Sequence, residues 1–235
     1  MKSFKPDVID YLGDQDDQAC YSRWTEGRSQ EFINIYKEEG AEHLLPYIQA
    51  EAKGARELYE QTRKIAKNAE LFVALGNHDV RVFDYVDKKL NEISKEVTPN
   101  SLWGLDDLGY DYIYYGDKPR LRYGGLYAHH GVAISKHAGE SVKADMDSFG
   151  VSIIRGHSHR LATTHKTYDI RNEVLRGYEL GHMSDIASSG MSYTNIHNWA
   201  QGFAYGYIDG DEAHISLVEI KPDYTCVVDG KKFSV

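Results

Sequence analysis

Cysteine is nearly absent from this chain: Cys20 and Cys226 are the two in 235 residues. That excludes a disulfide framework as the organising device and fits a reducing, cytoplasmic setting. No apolar run reaches the ~18 residues that a membrane-spanning helix needs. The opening stretch MKSFKPDVID also lacks the apolar segment of a secretory signal. A surplus of positive charge is missing too, since 27 Lys and Arg stand against 36 Asp and Glu for a net charge of −9. A surface that coats nucleic acid through charge alone is basic and is therefore excluded. A nuclease is not, because bound divalent cations reverse the local sign of a site. Internal repeats and low-complexity tails are lacking as well.

What is present is a hydrophobic fraction of 41%, ordinary for a globular protein with a real core. The length suits one domain, expected over 1–235, with a motif-bearing half (1–160) and a mostly β half (161–235). The eighteen tyrosines are expected at half-buried sheet and interface positions. Apolar spacing from Gln30 to Ala69 predicts one short and one long amphipathic helix, with Pro46 in the first turn of the long one. Val80–Glu96 and His137–Ser148 read as further helices, and 101–128 as turn-rich with strand around Tyr110 to Tyr114. Beyond Arg160 the period becomes two, so 161–168, 203–208, 214–220 and 224–228 read as strands, with turns at Gly210 and Asp229–Gly230. The polar stretch Gly181 to Gly202 reads as a long loop.

Four clusters of polar donors each follow a short apolar run. DVIDYL (7–12) leads into Gly13, Asp14, Gln15, Asp16 and Asp17. LFVAL (71–75) leads into Gly76, Asn77, His78 and Asp79. LYA (126–128) leads into His129, His130 and Gly131, and VSIIR (151–155) into Gly156, His157, Ser158 and His159. An apolar run that ends in Gly reads as a buried strand delivering the chain to a loop, and the loops beyond the carboxyl ends of strands are where α/β sheets build their sites. Carboxylate, Asn carbonyl and imidazole donors suit Mn²⁺, Zn²⁺ or Fe²⁺ better than Ca²⁺ or Mg²⁺. Two such ions ~3.5–4 Å apart stabilise both the entering and the leaving oxygen of an in-line displacement.

The series GDxxD, GNHD, HG and GHSH, in that order, resembles the calcineurin-like metallophosphoesterase superfamily over roughly residues 5–160. GNHD is the most specific element, since about one chain of this length in a thousand would carry it by chance. The resemblance implies an α/β fold, a four-layer α/β/β/α sandwich of two mixed sheets flanked by helices. It also implies two divalent metal ions, Mn²⁺ foremost, with Zn²⁺ or Fe as alternatives. Asp14 would bridge the ions, Asn77, His130 and His157 would complete the second site, and His159 would bind the first. His78 resembles the catalytic histidine, with Asp17 orienting it. The implied activity is phosphoester hydrolysis by a metal-bound hydroxide attacking phosphorus, as a phosphodiesterase, nuclease or phosphatase.

One departure from the pattern matters. The superfamily begins with a strand ending in D-x-H, and no D-x-H precedes Gly13. The chain is therefore expected to lack the family's first strand and helix, a unit of roughly thirty residues. Missing D-x-H ligands motivate the alternative reading, a catalytically impaired metal- or protein-binding scaffold. An uncovered sheet edge would favour a homo-oligomer.

Arg23 and Arg160 are the candidate contacts to an anionic substrate, because a planar guanidinium suits phosphate. Trp24 reads as a core anchor. His129 reads as a hydrogen-bonded neighbour of His130, and His43, His137 and His165 as surface or core residues. His182 and His197 read as solvated residues of the polar loop. The expected partner is a phosphoester: a nucleotide, a nucleic acid or a small molecule, with no membrane involved. The acidic balance favours the smaller substrates over long duplex DNA.

Overall fold

Parallel pairing of short apolar strands sets the positions of all four motif loops. The computed structural model describes residues 5–18, 21–22, 34, 37–38, 40, 43–185 and 198–234. The fold is α/β, and the chain divides into two units, Met1–Tyr115 and Gly116–Val235.

In the first unit, β1 (Val8–Tyr11), β2 (Glu70–Ala74) and β3 (Tyr110–Ile113) form a parallel sheet in the order β1-β2-β3. Its central strand β2 is buried from Leu71 to Ala74, which is why its sequence is continuously apolar rather than alternating. Helices α1 (Leu45–Glu51), α2 (Lys53–Ile65), α3 (Arg81–Lys89) and α4 (Pro99–Trp103) belong to the same unit. Ile48, Ala55 and Tyr59 share one core with Leu71, Val73, Val82, Val86 and Trp103. Each large apolar side chain buried this way contributes about 1.5–3 kcal/mol. A hydrogen bond of 2.6 Å between the hydroxyls of Tyr11 and Thr62 joins β1 to α2.

The long helix expected after Pro46 is two helices that meet at Ala52, whose ψ of −5° departs from the helical value. Hydrogen bonding still runs through the junction, from Ala52 N–H to Ile48 and from Arg56 N–H to Ala52. The helix expected to reach Glu96 stops at Lys89, because Leu90 leaves the helical region (φ −137°, ψ 45°). A 3₁₀ turn at Asn91–Ile93 then returns Ile93 to the core beside Leu90. The short helix expected near Phe32, Ile35 and Tyr36 lies outside the described residues. Helix α4 interrupts the segment read as turn-rich. Thr98 and Ser101 cap it reciprocally, Pro99 starts it, and Gly104 (φ 69°) ends it.

In the second unit, β4 (Arg120–Leu121), β5 (Leu126–His129), β6 (Ser152–Arg155), β7 (Ala162–Tyr168) and β8 (Glu173–Glu179) form one sheet, ordered β4-β5-β6-β8-β7. Strands β5, β6 and β8 are mutually parallel, and both edges are antiparallel. Val142 and Met146 of α5 (Glu140–Phe149) pack on Ile153 and Leu175. Two hairpins follow. β9 (Gly202–Asp209) pairs with β10 (Glu212–Glu219), and β11 (Thr225–Val228) pairs with β12 (Lys231–Ser234). Asp229 and Gly230 take positive φ at the second turn, the backbone that a tight hairpin demands. Strand β8 was not expected, because Glu173, Arg176 and Glu179 hide its apolar alternation. It is nonetheless an interior strand. Among the described residues no helix is long and apolar enough to cross a membrane.

Candidate metal centre

Register decides which loops meet. In the first unit β1 and β2 pair in parallel with Tyr11 opposite Val73, so both strands release their chains at the same end. The GDxxD loop and the GNHD loop are therefore neighbours, and Asp79 stitches them together. Its carboxylate is 1% exposed. It accepts the backbone N–H of Asp14 (2.7 Å), Asp16 (2.9 Å) and Gly76 (2.7 Å). Asp14 in turn accepts the His78 N–H at 2.8 Å. Gly76 is required by this closeness, because a Cβ there would stand 2.1 Å from the Asp14 carboxylate.

The His78 ring meets Asp17 through Nδ1 at 2.6 Å. On its other side Arg81 Nη2 lies 3.0 Å from Nε2. A guanidinium only donates, so Nε2 is the acceptor and Nδ1 carries the proton to Asp17. Arg81 also donates to the Asp17 backbone carbonyl at 3.0 Å. Asp16 faces inward and accepts the Trp103 indole N–H at 3.0 Å. Burial holds its carboxyl above the usual range, opposed by the Trp103 and Gln18 hydrogen bonds.

In the second unit, His129 pairs with Arg155 across β5 and β6, and Arg155 with Glu179 across β6 and β8. Three parallel strands thus deliver His130, the GHSH loop and the Leu180–His182 segment to one end of the sheet. His130 is buried, and its Nε2 lies 3.1 Å from Nδ1 of His157, with ring centres 4.9 Å apart at 62°. Ser158 donates to Glu179 from below, and Gly139 N–H donates to the other Glu179 oxygen at 2.6 Å. Arg155 is fully buried and forms a 2.7 Å ion pair with Asp145. Gly131 (φ 109°) passes so close that a Cβ would stand 2.3 Å from the guanidinium. His129 accepts the Gly131 N–H through Nδ1 at 3.0 Å. Burial pushes its imidazole below the ordinary range, with Asp145 acting in the opposite direction.

Asp14 (φ 55°), His157 (φ 69°) and His159 (φ 61°) all take left-handed backbone conformations. Such conformations cost about 1–3 kcal/mol each and collect at functional sites. Three candidate ligands share this feature.

Of the candidate substrate contacts, Arg160 donates to the Ser135 carbonyl at 2.7 Å and so braces the loop after Gly131. Arg23, Trp24 and His197 lie outside the described residues. His43, His137 and His165 are exposed. His182 corrects an expectation: it is not a solvated loop residue but is 6% exposed and beside His159, their ring centres 5.5 Å apart. The reason is that the chain returns at Ala200 and Gln201 to pair with it. Sequence reasoning gave no role to Asp79, Arg81, Glu179 or Asp145. Asp79 was discoverable as the fourth member of GNHD, whereas Glu179 sits on the strand whose pattern was hidden. Glu179→Ala is expected to cost about 2–4 kcal/mol, because it strands the buried Ser158 hydroxyl and the part-buried Gly139 N–H. Urea unfolding checks this, with Glu179→Gln recovering most of the loss.

The residues fit a divalent ion on the chemistry of their donors. Ring nitrogens 3.1 Å apart on His130 and His157 match neighbouring ligands on one ion with ~2.1 Å bonds. Carboxylate, amide and imidazole are the donors that Mn²⁺, Fe²⁺ and Zn²⁺ accept.

No family model matches the sequence. It is similar to the "Gene 54 protein" of Mycobacterium phage D29, with 27% identity over 237 aligned positions covering 98% of this chain and 85% of that protein. A protein of the same name from Mycobacterium phage L5 is 26% identical over the same coverage. These names carry a gene number and no activity.

Proposed function

We propose that this protein is a metal-dependent phosphoester hydrolase. What supports the reading most is the His130–His157 pair, two imidazole nitrogens set 3.1 Å apart at the ends of adjacent parallel strands. His130, His157 and His159 are the donors it assigns to the ions in the second unit, and Asp14 and Asn77 are the candidate donors of the first. Bound divalent ions would activate water and neutralise the phosphoryl oxygens. The chain's own residues do the rest. Asp79 fixes Asp14 by its backbone and Asp17 holds the tautomer of His78, whose unprotonated Nε2 would take a proton from the attacking water and pass it to the departing oxygen. Arg81, already at Nε2, is the cation that a phosphoryl oxygen would attract. The substrate class is a nucleotide, a nucleic acid or a small phosphoester.

Mn²⁺ titration followed by a bis-p-nitrophenyl phosphate assay tests the proposal. Turnover is expected to need Mn²⁺ and to fall to background in both Asp14→Ala and His157→Ala, each with weakened Mn²⁺ uptake. Mn²⁺ uptake without turnover on any diester or monoester would leave a metal-binding scaffold and reject the hydrolase. Equal residual rates in the two variants and the wild type would reject it as well.

A further inference from the structure

His182 has no place in the motif series, yet it is the imidazole that stands beside His159. It follows β8, the strand parallel to the one that delivers the GHSH loop. A single residue then fixes both histidines: Ala200 donates its N–H to the His159 carbonyl at 2.8 Å and accepts the His182 N–H at 3.0 Å. Gly181 makes this approach feasible, since a Cβ there would stand 2.1 Å from the Ala200 carbonyl oxygen. The two ring centres are 5.5 Å apart at 53°. Two imidazoles that bind one ion through ~2.1 Å bonds hold their centres about 5 Å apart. The His130–His157 pair, at 4.9 Å, has nearly the same spacing.

Trp199 closes the group, with its ring 4.9 Å from His159 and 6.2 Å from His182. An indole offers an N–H and no acceptor, so it cannot act as a ligand and adds only apolar cover. His182 beneath that cover is 6% exposed and His159 is half-buried, and lower exposure strengthens a charge–donor interaction.

We infer that His182 joins His159 in holding the first ion, so that this ion takes two imidazoles from this unit and not one. This rests on the metal-dependent reading above and adds to it a ligand that the motifs do not contain. The site would prefer Zn²⁺ or another imidazole-seeking ion over Mg²⁺ or Ca²⁺.

Zn²⁺ uptake by metal-stripped protein, measured by titration calorimetry and equilibrium dialysis, is the test. Wild type is expected to take up two equivalents. His182→Ala and the size-conserving His182→Gln are expected to lose one, or to bind it at least tenfold more weakly. The equivalent removed by His157→Ala should persist in both. Histidine-ring NMR on the unmutated protein guards against a folding artefact: His159 and His182 resonances should shift with the same equivalent. Wild-type stoichiometry and affinity in both His182 variants would overturn the inference while leaving the hydrolase reading intact, provided that His157→Ala still loses its ion. Absence of any Zn²⁺ or Mn²⁺ uptake by wild type would overturn both.

Discussion

Replacing His78 with alanine is expected to lower phosphodiester turnover about 10²–10⁴-fold, the range that a positioned proton donor contributes. Metal stoichiometry should not change. His78 is held from two sides, with Nδ1 on Asp17 at 2.6 Å and Nε2 against Arg81 at 3.0 Å. This fixes both tautomer and ring plane, and makes Nε2, which carries no proton in this tautomer, the nitrogen that takes one up once a phosphoryl oxygen draws Arg81 away. The side chain is partly exposed, so its removal opens no core cavity and costs little stability. Asp17→Asn should do less, about 10–100-fold, because it disturbs the orientation of the ring and leaves the ring itself in place. The two variants together should fall short of the product of their separate effects, since they share one interaction. Steady-state rates at saturating Mn²⁺ check this. A His78→Ala rate within about threefold of wild type would remove proton transfer from the proposal.

The legible part of this molecule follows from its punctuation. Val8–Tyr11, Glu70–Ala74, Leu126–His129 and Ser152–Arg155 are strands where apolar runs meet Gly or His, and each delivers its motif to a loop as expected. Parallel register then makes the loops neighbours within each unit; the donor-rich clusters were legible from their place after apolar runs, and the individual ligands only from the resemblance. Strand β8 was illegible because its polar residues have partners that sequence does not display. Glu179 is buried on Ser158 and Gly139, and Arg176 pairs with Glu212 at 3.2 Å. The break at Leu90 was hidden for a different reason. The apolar period of Val82, Val86, Leu90 and Ile93 survives it, because a 3₁₀ turn keeps Ile93 on the buried side. The burial of His182 depends on its pairing with Ala200, eighteen positions on, a long-range contact that local composition cannot report. Asp145 falls in the same class. It looks like the wet face of a helix until Arg155 is seen to be fully buried against it.

Asp79→Ala is expected to cost about 3–5 kcal/mol, among the largest effects of any single side chain here. The carboxylate is the common acceptor of three backbone amides from two loops: those of Asp14 and Asp16, 65 and 63 positions from it in sequence, and that of Gly76, three positions away. Charge-assisted bonds of this kind are worth about 1.5–3 kcal/mol each when one partner is ionised. Water entering the vacated space recovers part of the sum, which keeps the net below simple addition. Asp79→Asn should fall between. Oδ2 serves Asp14 and Gly76, while Oδ1 serves Asp16, so an amide oxygen can replace only one of these two acceptors. Its NH₂ would then oppose an N–H, at Asp16 if the oxygen takes the doubly used position. Thermal melts should show a drop of about 10 °C for the alanine variant, at roughly 2–4 °C per kcal/mol for a chain of this size. The same variant should weaken Mn²⁺ uptake even though Asp79 is not a ligand, because it releases the backbone of Asp14. A melting temperature within a degree or two of wild type would mean that the GDxxD and GNHD loops are joined by something other than this carboxylate.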